Sequence, residues 1–313
     1  MSVGTVTTER SSRRPAWRRT ETVTPYLLLG PSLLLIFGLL GYPLYKLIAV
    51  SFQQFTRTEF FTRETIYNGV DNYTAIFADP DFGWVLLRTL VTLVVMVVGT
   101  MVVGTAVALL LQRLNKVART VVSISLLFSW ATPPLAAVVV WKWLLNSQYG
   151  FYTWLLELVG FNLRGDSSIL FSGPKVLAAI CVVVIWQAVP FVALTLYAGL
   201  TQVSQELYEA AELDGAGFWR CFTQVTVPML RPIFMLLITL SVIWDFRLFG
   251  QVWVFNRGGP NGESLLIGSY SYFTSFVQYD FGQGSAVAVV MVLSLLVITA
   301  YYIRQMVRSG ETS

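Results

Sequence analysis

Histidine is absent from the 313 residues, so neither a histidine metal site nor a histidine proton relay can be built. Cysteine is nearly absent: Cys181 lies in an apolar run and Cys221 in a polar loop, too few for a metal cluster. There are four lysines (Lys46, Lys116, Lys142 and Lys175), and none precedes Ser or Thr. A G-x-x-x-x-G-K-[ST] phosphate loop is therefore missing, and the chain is not expected to hydrolyse ATP itself. No acid–base or metal constellation stands out, so no catalytic residue, cofactor or metal is expected. Charge is scarce as well, at 12%, about half the share of a soluble domain.

What fills the chain instead is apolar surface: 55% of residues are hydrophobic, and mean hydropathy is +0.65. The apolar residues cluster into runs that reach the ~20 residues needed to cross a bilayer. The expected fold is an all-α membrane protein with six transmembrane helices, at about 25–49, 86–112, 120–145, 175–201, 232–255 and 283–303. Residues 1–23 carry Arg10, Arg13, Arg14, Arg18 and Arg19 and are expected to be a disordered cytoplasmic tail. The run that follows is too long for a signal peptide and lacks a small-residue cleavage site, so it is expected to remain as the first span. With the tail inside, Arg113, Lys116, Arg119, Arg220, Arg231, Arg304 and Arg308 also fall inside. The outer segments hold mainly Arg57, Arg63, Arg164 and Arg257. That bias satisfies the positive-inside rule and puts both termini in the cytoplasm. It also accounts for the net charge of +4, so nucleic acid is not an expected partner; the lipid bilayer is. Cys181 is then in the membrane and Cys221 in the cytoplasm, which argues against a disulfide between them.

One inner loop, 204–231, is too polar to enter the bilayer. Ser204 can cap a helix, and Glu206 and Glu209 suit its first turns. Leu207, Ala210, Ala211 and Asp214 follow helical spacing and share one face, on which two alanines permit close approach by another surface. Gly215 and Gly217 then break the helix. Phe218 to Val227 can form a second short helix, with Pro228 and Pro232 near the start of the next one. On this pattern alone, a docking handle and an ordinary solvated loop remain equal readings.

Polar groups deep in the spans mark where a solute could pass, because each costs free energy there unless it faces protein or water. Asp245 and Arg247 fall midway along the fifth run, about 200° apart on a continuous helix. Asp245 would share a stripe with Ser241, Phe249 and Val252, and Arg247 one with Trp244 and Gln251. Either each charge is neutralised by a neighbouring helix, or together they line a cavity offering hydrogen bonds and an aromatic face. Gln187 lies near Pro190, which should loosen the fourth span and free a backbone carbonyl; such a kink can equally be architectural.

Three groups of residues carry a resemblance. Glu209-Ala210-Ala211, then Gly215, then Val225, Val227 and Pro228 resemble the coupling motif of ABC importer permeases, with valines where isoleucine and leucine are usual. Gly69-x-x-Asn72-Tyr73 resembles the segment before the second span of carbohydrate-type permeases. The pair Pro133-Pro134 with Trp141-Lys142-Trp143, and Gly258-Gly259-Pro260, are similar to further features of that family, although Trp141 and Trp143 also suit an interfacial aromatic belt. The resemblance implies that residues 24–313 form one transmembrane domain pairing with a second six-span permease subunit. An ABC ATPase dimer, holding ATP and Mg, would bind on the cytoplasmic side, and an extracytoplasmic solute-binding protein would deliver a sugar. Glu209, Ala210, Ala211, Asp214, Gly215 and Pro228 would be the coupling residues. Maltose-type permeases can carry extra N-terminal spans; none is visible here. The competing expectation is an ion-gradient-driven secondary transporter or channel. Such proteins usually hold several midplane ionisable groups and often internal inverted repeats, whereas Asp245 is the one strong acid candidate here.

Overall fold

The computed structural model describes residues 29–161, 168 and 171–310, with side chains to 305. The expected tail, 1–23, lies outside the described residues. The chain divides into two units, Met1–Ala49 and Val50–Ser313. In the first, helix α1 (Leu29–Ser51, running two residues into the second unit) widens into a π-turn at Phe37–Gly41. Lys46 reaches to 5.9 Å from the Tyr42 ring, as a cation lying along an apolar stem does.

The second unit begins with a small hairpin of β1 (Gln53–Gln54) and β2 (Ile66–Tyr67), registered Gln53 to Tyr67 and Gln54 to Ile66. Helix α2 (Arg57–Thr62) opens on a capping box in which Thr56 and Glu59 satisfy each other's backbone. Those hydrogen bonds from Thr56 hold the Glu59 carboxyl below its ordinary range. Helix α3 (Asp71–Ala78) contains Asn72, whose amide donates to the carbonyls of Ser51 at 3.0 Å and Gln53 at 2.8 Å. Tyr73 adds a 2.7 Å hydroxyl contact to Ser51. The Gly69-x-x-Asn72-Tyr73 segment thus ties down the backbone at Ser51 and Gln53.

Four helices, α1 among them, are long and apolar enough to span, and two bent pairs bring the number to six if each pair crosses once. Helix α4 (Pro80–Arg113) is 34 residues, roughly 51 Å at ~1.5 Å per residue, and overshoots the hydrocarbon core. Its buried positions, including Val85, Thr89, Met96, Thr100, Gly104, Ala108 and Leu111, repeat at helical spacing. They face α8 (Gly173–Leu200), the most deeply packed span, where Val176, Ile180, Val183, Val192 and Leu196 are buried.

The third span is not the single helix expected over 120–145. It is α5 (Lys116–Ala131) and α6 (Pro134–Leu144), bent by 100° at Thr132-Pro133. Two successive prolines remove two N–H donors, and Thr132 turns extended at ψ 126°, so the ladder cannot continue. A short helix, α7 (Phe151–Leu158), follows. Trp141 stacks on Tyr152 with centroids 5.2 Å apart and is half-buried, whereas Trp143 is exposed in the manner of an interfacial belt.

The second bent pair is α11 (Arg231–Phe246) with the helical stretch before it, Phe218–Met229, at 75°. The fifth span, expected as one helix over 232–255, stops early: α11, 16 residues long, is separated from α12 (Gly250–Asn256) by Arg247, Leu248 and Phe249. No proline forces this stop. Gly250 lies so close to α6 that an added β-carbon would stand 3.0 Å from Leu135 Cδ2, and α12 packs against α6. Beyond it, Gly258-Gly259-Pro260 forms a tight turn in which Gly258 has φ +83° and Ser264 Oγ donates to the Gly259 carbonyl at 2.7 Å. Helix α13 (Ile267–Tyr272) leads through a π-turn to the last span, α14 (Phe281–Gly310). Tyr270 of α13 donates to Asp79 at 3.0 Å, and burial with that carboxylate pushes its phenol up to about 12.

Candidate functional site

Two places carry the chemistry: the loop after α8, and a cavity where α5, α6, α8, α11 and α12 meet.

In the loop, α9 (Gln205–Leu213) starts at Ser204, whose hydroxyl accepts from Glu206 N at 3.3 Å. It ends in a complete Schellman turn: Ala216 N donates to Ala211 O at 2.9 Å and Gly215 N to Glu212 O at 3.0 Å, with Gly215 at φ +80°. Next, α10 (Phe218–Met229) contains a π-turn at Phe222–Thr226. Pro228 has no N–H for the carbonyl of Gln224, four residues earlier, and the wider turn absorbs that defect. Pro228 therefore closes α10; the expectation that it starts the following span is corrected. A 75° bend at Leu230 then leads into α11.

The two short helices brace each other through Tyr208 Oη and Thr226 Oγ1, 3.0 Å apart. Cys221 is buried beneath the turn and points its thiol at the Ala216 carbonyl, 3.6 Å away. Neither cysteine is in a disulfide. Glu209, Ala210 and Asp214 are exposed, but Ala211 is half-buried with Tyr208 on the side facing α10. The single face expected from Leu207, Ala210, Ala211 and Asp214 therefore splits in two, because a helix of nine residues packs one side against its partner. The outward side gains Leu213, 89% exposed, and Trp219 stands nearby at 73%. Neither is among the expected coupling residues, although a Leu and a Trp in a loop this polar are a signal of a docking surface. Arg113, at the end of α4, stands 4.8 Å from the Phe218 ring and ties α10 to the second span.

The cavity, about 280 Å³, sits beside two proline-made defects that satisfy each other. Pro190 leaves the Trp186 carbonyl without its helical donor, and Ser129 Oγ supplies one at 3.3 Å. Across the same boundary Gln187 Nε2 donates to the Thr132 carbonyl, stranded at the break of the third span, at 2.6 Å. Gln187→Leu should therefore lower the melting temperature of the purified protein by an amount equivalent to about 1–3 kcal/mol, the cost of an unpaired carbonyl. Gln187→Glu should do nearly the same, since an ionised carboxylate has no donor. Unchanged melting in both variants would mean that this bond does not hold the break.

Of the expected pathway residues, Gln187, Trp244, Asp245 and Gln251 line this cavity. Ser241 is buried one turn away, and Phe249 packs instead on Tyr272 at 5.0 Å and Trp253 at 6.2 Å. Arg247 is exposed on the turn that ends α11 and does not line the cavity. The helical stripes drawn through 245–252 assumed a continuous helix and fail at the break. Two aromatic residues complete the wall: Trp130 stacks on Phe191 at 6.4 Å, and Phe191 meets Trp244 edge-on at 5.4 Å. Asp245 is 7% exposed, and its Oδ2 has no hydrogen-bond partner among the described residues.

Residues 101–310 match the family described as binding-protein-dependent transport system inner membrane component. The chain is 40% identical over 300 residues to a diacetylchitobiose uptake system permease protein of Streptomyces coelicolor, covering 96% of this chain and 92% of that one. It is 28% identical over 286 residues to a trehalose/maltose transport system permease protein of Thermococcus litoralis, covering 91% and 94%. Among solved structures, a chain of a bacterial ABC transporter involved in the import of the acidic polysaccharide alginate superposes with a TM-score of 0.78. The match covers 93% of this chain and 98% of that one at 18% identity, a likeness of fold.

Proposed function

The chain belongs to the family of binding-protein-dependent transport system inner membrane components, and from that premise we propose that it is one of two permease subunits of an ATP-driven sugar importer. It spans the membrane several times and forms half of the pathway for a sugar or oligosaccharide handed over by an extracytoplasmic solute-binding protein. The observation that carries this reading is the loop of α9 and α10. It is a braced helix–turn–helix presenting Leu207, Leu213 and Trp219 outward, shaped to seat in a cleft of another protein.

The partner at that loop is a cytoplasmic ATPase dimer, which holds ATP and Mg; this chain needs no cofactor of its own. Residues 24–313 act as one translocating domain and residues 1–23 as its cytoplasmic tail. When the ATPase sites close, their cleft moves α9. The Tyr208–Thr226 contact passes the displacement to α10, the bend at Leu230 passes it to α11, and Arg113 passes it to α4. The elements that move are those carrying Asp245 and Trp244. A solute cavity coupled in this way to a nucleotide-driven partner alternates between the two sides because the partner binds the loop differently in its two states.

The first test is composition. The tagged chain, purified from its native membrane, should co-elute with a nucleotide-binding ATPase and a second six-span permease. Glu209→Lys, a charge reversal on the exposed face of α9, should lose the ATPase and keep the second permease. A chain that elutes alone, and moves a solute in liposomes on an ion gradient without ATP, sinks the proposal.

A further inference from the structure

The cavity is asymmetric in charge. Its ring-lined wall comprises Trp130, Phe191 and Trp244, its neutral polar groups are Gln187 and Gln251, and Asp245 is its one charged lining residue. Asp245 is more than nine-tenths buried, and Oδ2 is left without a partner among the described residues. An unpaired buried carboxylate oxygen is costly, and folding alone gives no reason to keep one beside an opening. Gln187 does not compensate it: its amide nitrogen donates to the Thr132 carbonyl and makes no hydrogen bond to Asp245 Oδ2. Arg247, two residues along the chain, lies outside the cavity, since α11 ends before it and turns it to the exposed side.

From this we infer that Asp245 sets the charge selectivity of the pathway, admitting neutral and amino sugars and excluding acidic ones; the inference rests on the proposed role of the cavity in translocation. The aromatic wall suits the apolar face of a sugar ring and is indifferent to its substituents. The carboxylate is not indifferent. It accepts hydrogen bonds from hydroxyl groups and, more strongly, from an ammonium group. In its ionised form it repels a uronate brought to the same place.

The test uses the complete transporter in detergent micelles and three disaccharide probes: cellobiose, its uronic-acid counterpart cellobiouronic acid, and the glucosamine disaccharide. Affinity is measured by equilibrium dialysis without the solute-binding protein, so that only the membrane site selects. The native complex should bind cellobiose and the glucosamine disaccharide at least ~30-fold more tightly than the uronate, equivalent to about 2 kcal/mol. Asp245→Asn should reduce that ratio to within about threefold, mainly by gaining affinity for the uronate. Should Asp245→Asn fail to assemble, Gln251→Lys places a cation on the same wall and should reverse the preference in favour of the uronate. Cellobiose and uronate bound equally by the native complex, or a ratio untouched by Asp245→Asn, would overturn the inference and leave the transport role standing. A complex that assembles with its ATPase but binds none of the three sugars would remove the pathway role of the cavity, and this inference with it.

Discussion

Gly215→Pro should reduce sugar uptake to background while leaving the chain in the membrane. Gly215 stands at φ +80°, where proline, fixed near about −65°, cannot go. The substitution also removes the N–H that donates to Glu212 O and closes the turn. A penalty of about 3 kcal/mol or more corresponds to a fall of roughly 100-fold in the population of properly capped α9. The environment makes the case selective: a β-carbon at Gly215 meets nothing within 4 Å, so backbone conformation alone is tested. Gly215→Asn should therefore be mild, since asparagine visits this region readily, and Gly215→Ala intermediate, at ~1–2 kcal/mol. Uptake of labelled sugar, read beside retention of the ATPase on purification, gives the order. Equal effects from alanine and proline would show that shape against the partner matters, and not the turn. Normal transport by Gly215→Pro would remove the loop from the coupling pathway altogether.

Local chemistry made that loop readable in advance. Ser204, the glycine after α9 and the run of small residues each act within a few positions, and the cap and the turn stand where the spacing puts them. Spans are legible for the same reason, since an apolar run of sufficient length has few other fates. Helix breaks divide into two kinds. The break at Pro133-Pro134 announces itself through missing donors, although its 100° bend does not. The one after Phe246 has no local signature; beyond it, Gly250 seats close against Leu135. That contact joins residues more than a hundred positions apart. With α11 ended at Phe246, Arg247 leaves the cavity and Gln251 stays, so no helical wheel drawn through 245–252 could sort them. Trp130 and Phe191 were hidden likewise: each is an unremarkable aromatic in an apolar run until α5 and α8 meet.

Packing between α4 and α8 supplies the second large effect. Two glycines on α4 let the helices approach, as small residues do where lipid offers no hydrophobic gain for association. They are not equivalent. A β-carbon at Gly99 would come 2.5 Å from Ile185 Cδ1, the free end of a side chain that can rotate away. At Gly104 it would come 2.5 Å from Val192 Cγ1 and 2.9 Å from Val192 Cβ, which is fixed to the backbone of a buried residue. Gly104→Ala should thus cost about 1–3 kcal/mol, the usual price of overpacking, and Gly99→Ala less. Gly104→Leu should exceed what the contact can absorb and prevent accumulation of the protein in the membrane. Val192→Ala gives up a buried side chain on α8, yet in the Gly104→Ala background it should restore part of the lost stability. Accumulation in the membrane and the melting temperature in detergent, measured for all four combinations at positions 104 and 192, isolate the pair term. If the two losses simply add, Gly104 and Val192 do not meet as described, and the seam between the second and fourth spans is held elsewhere.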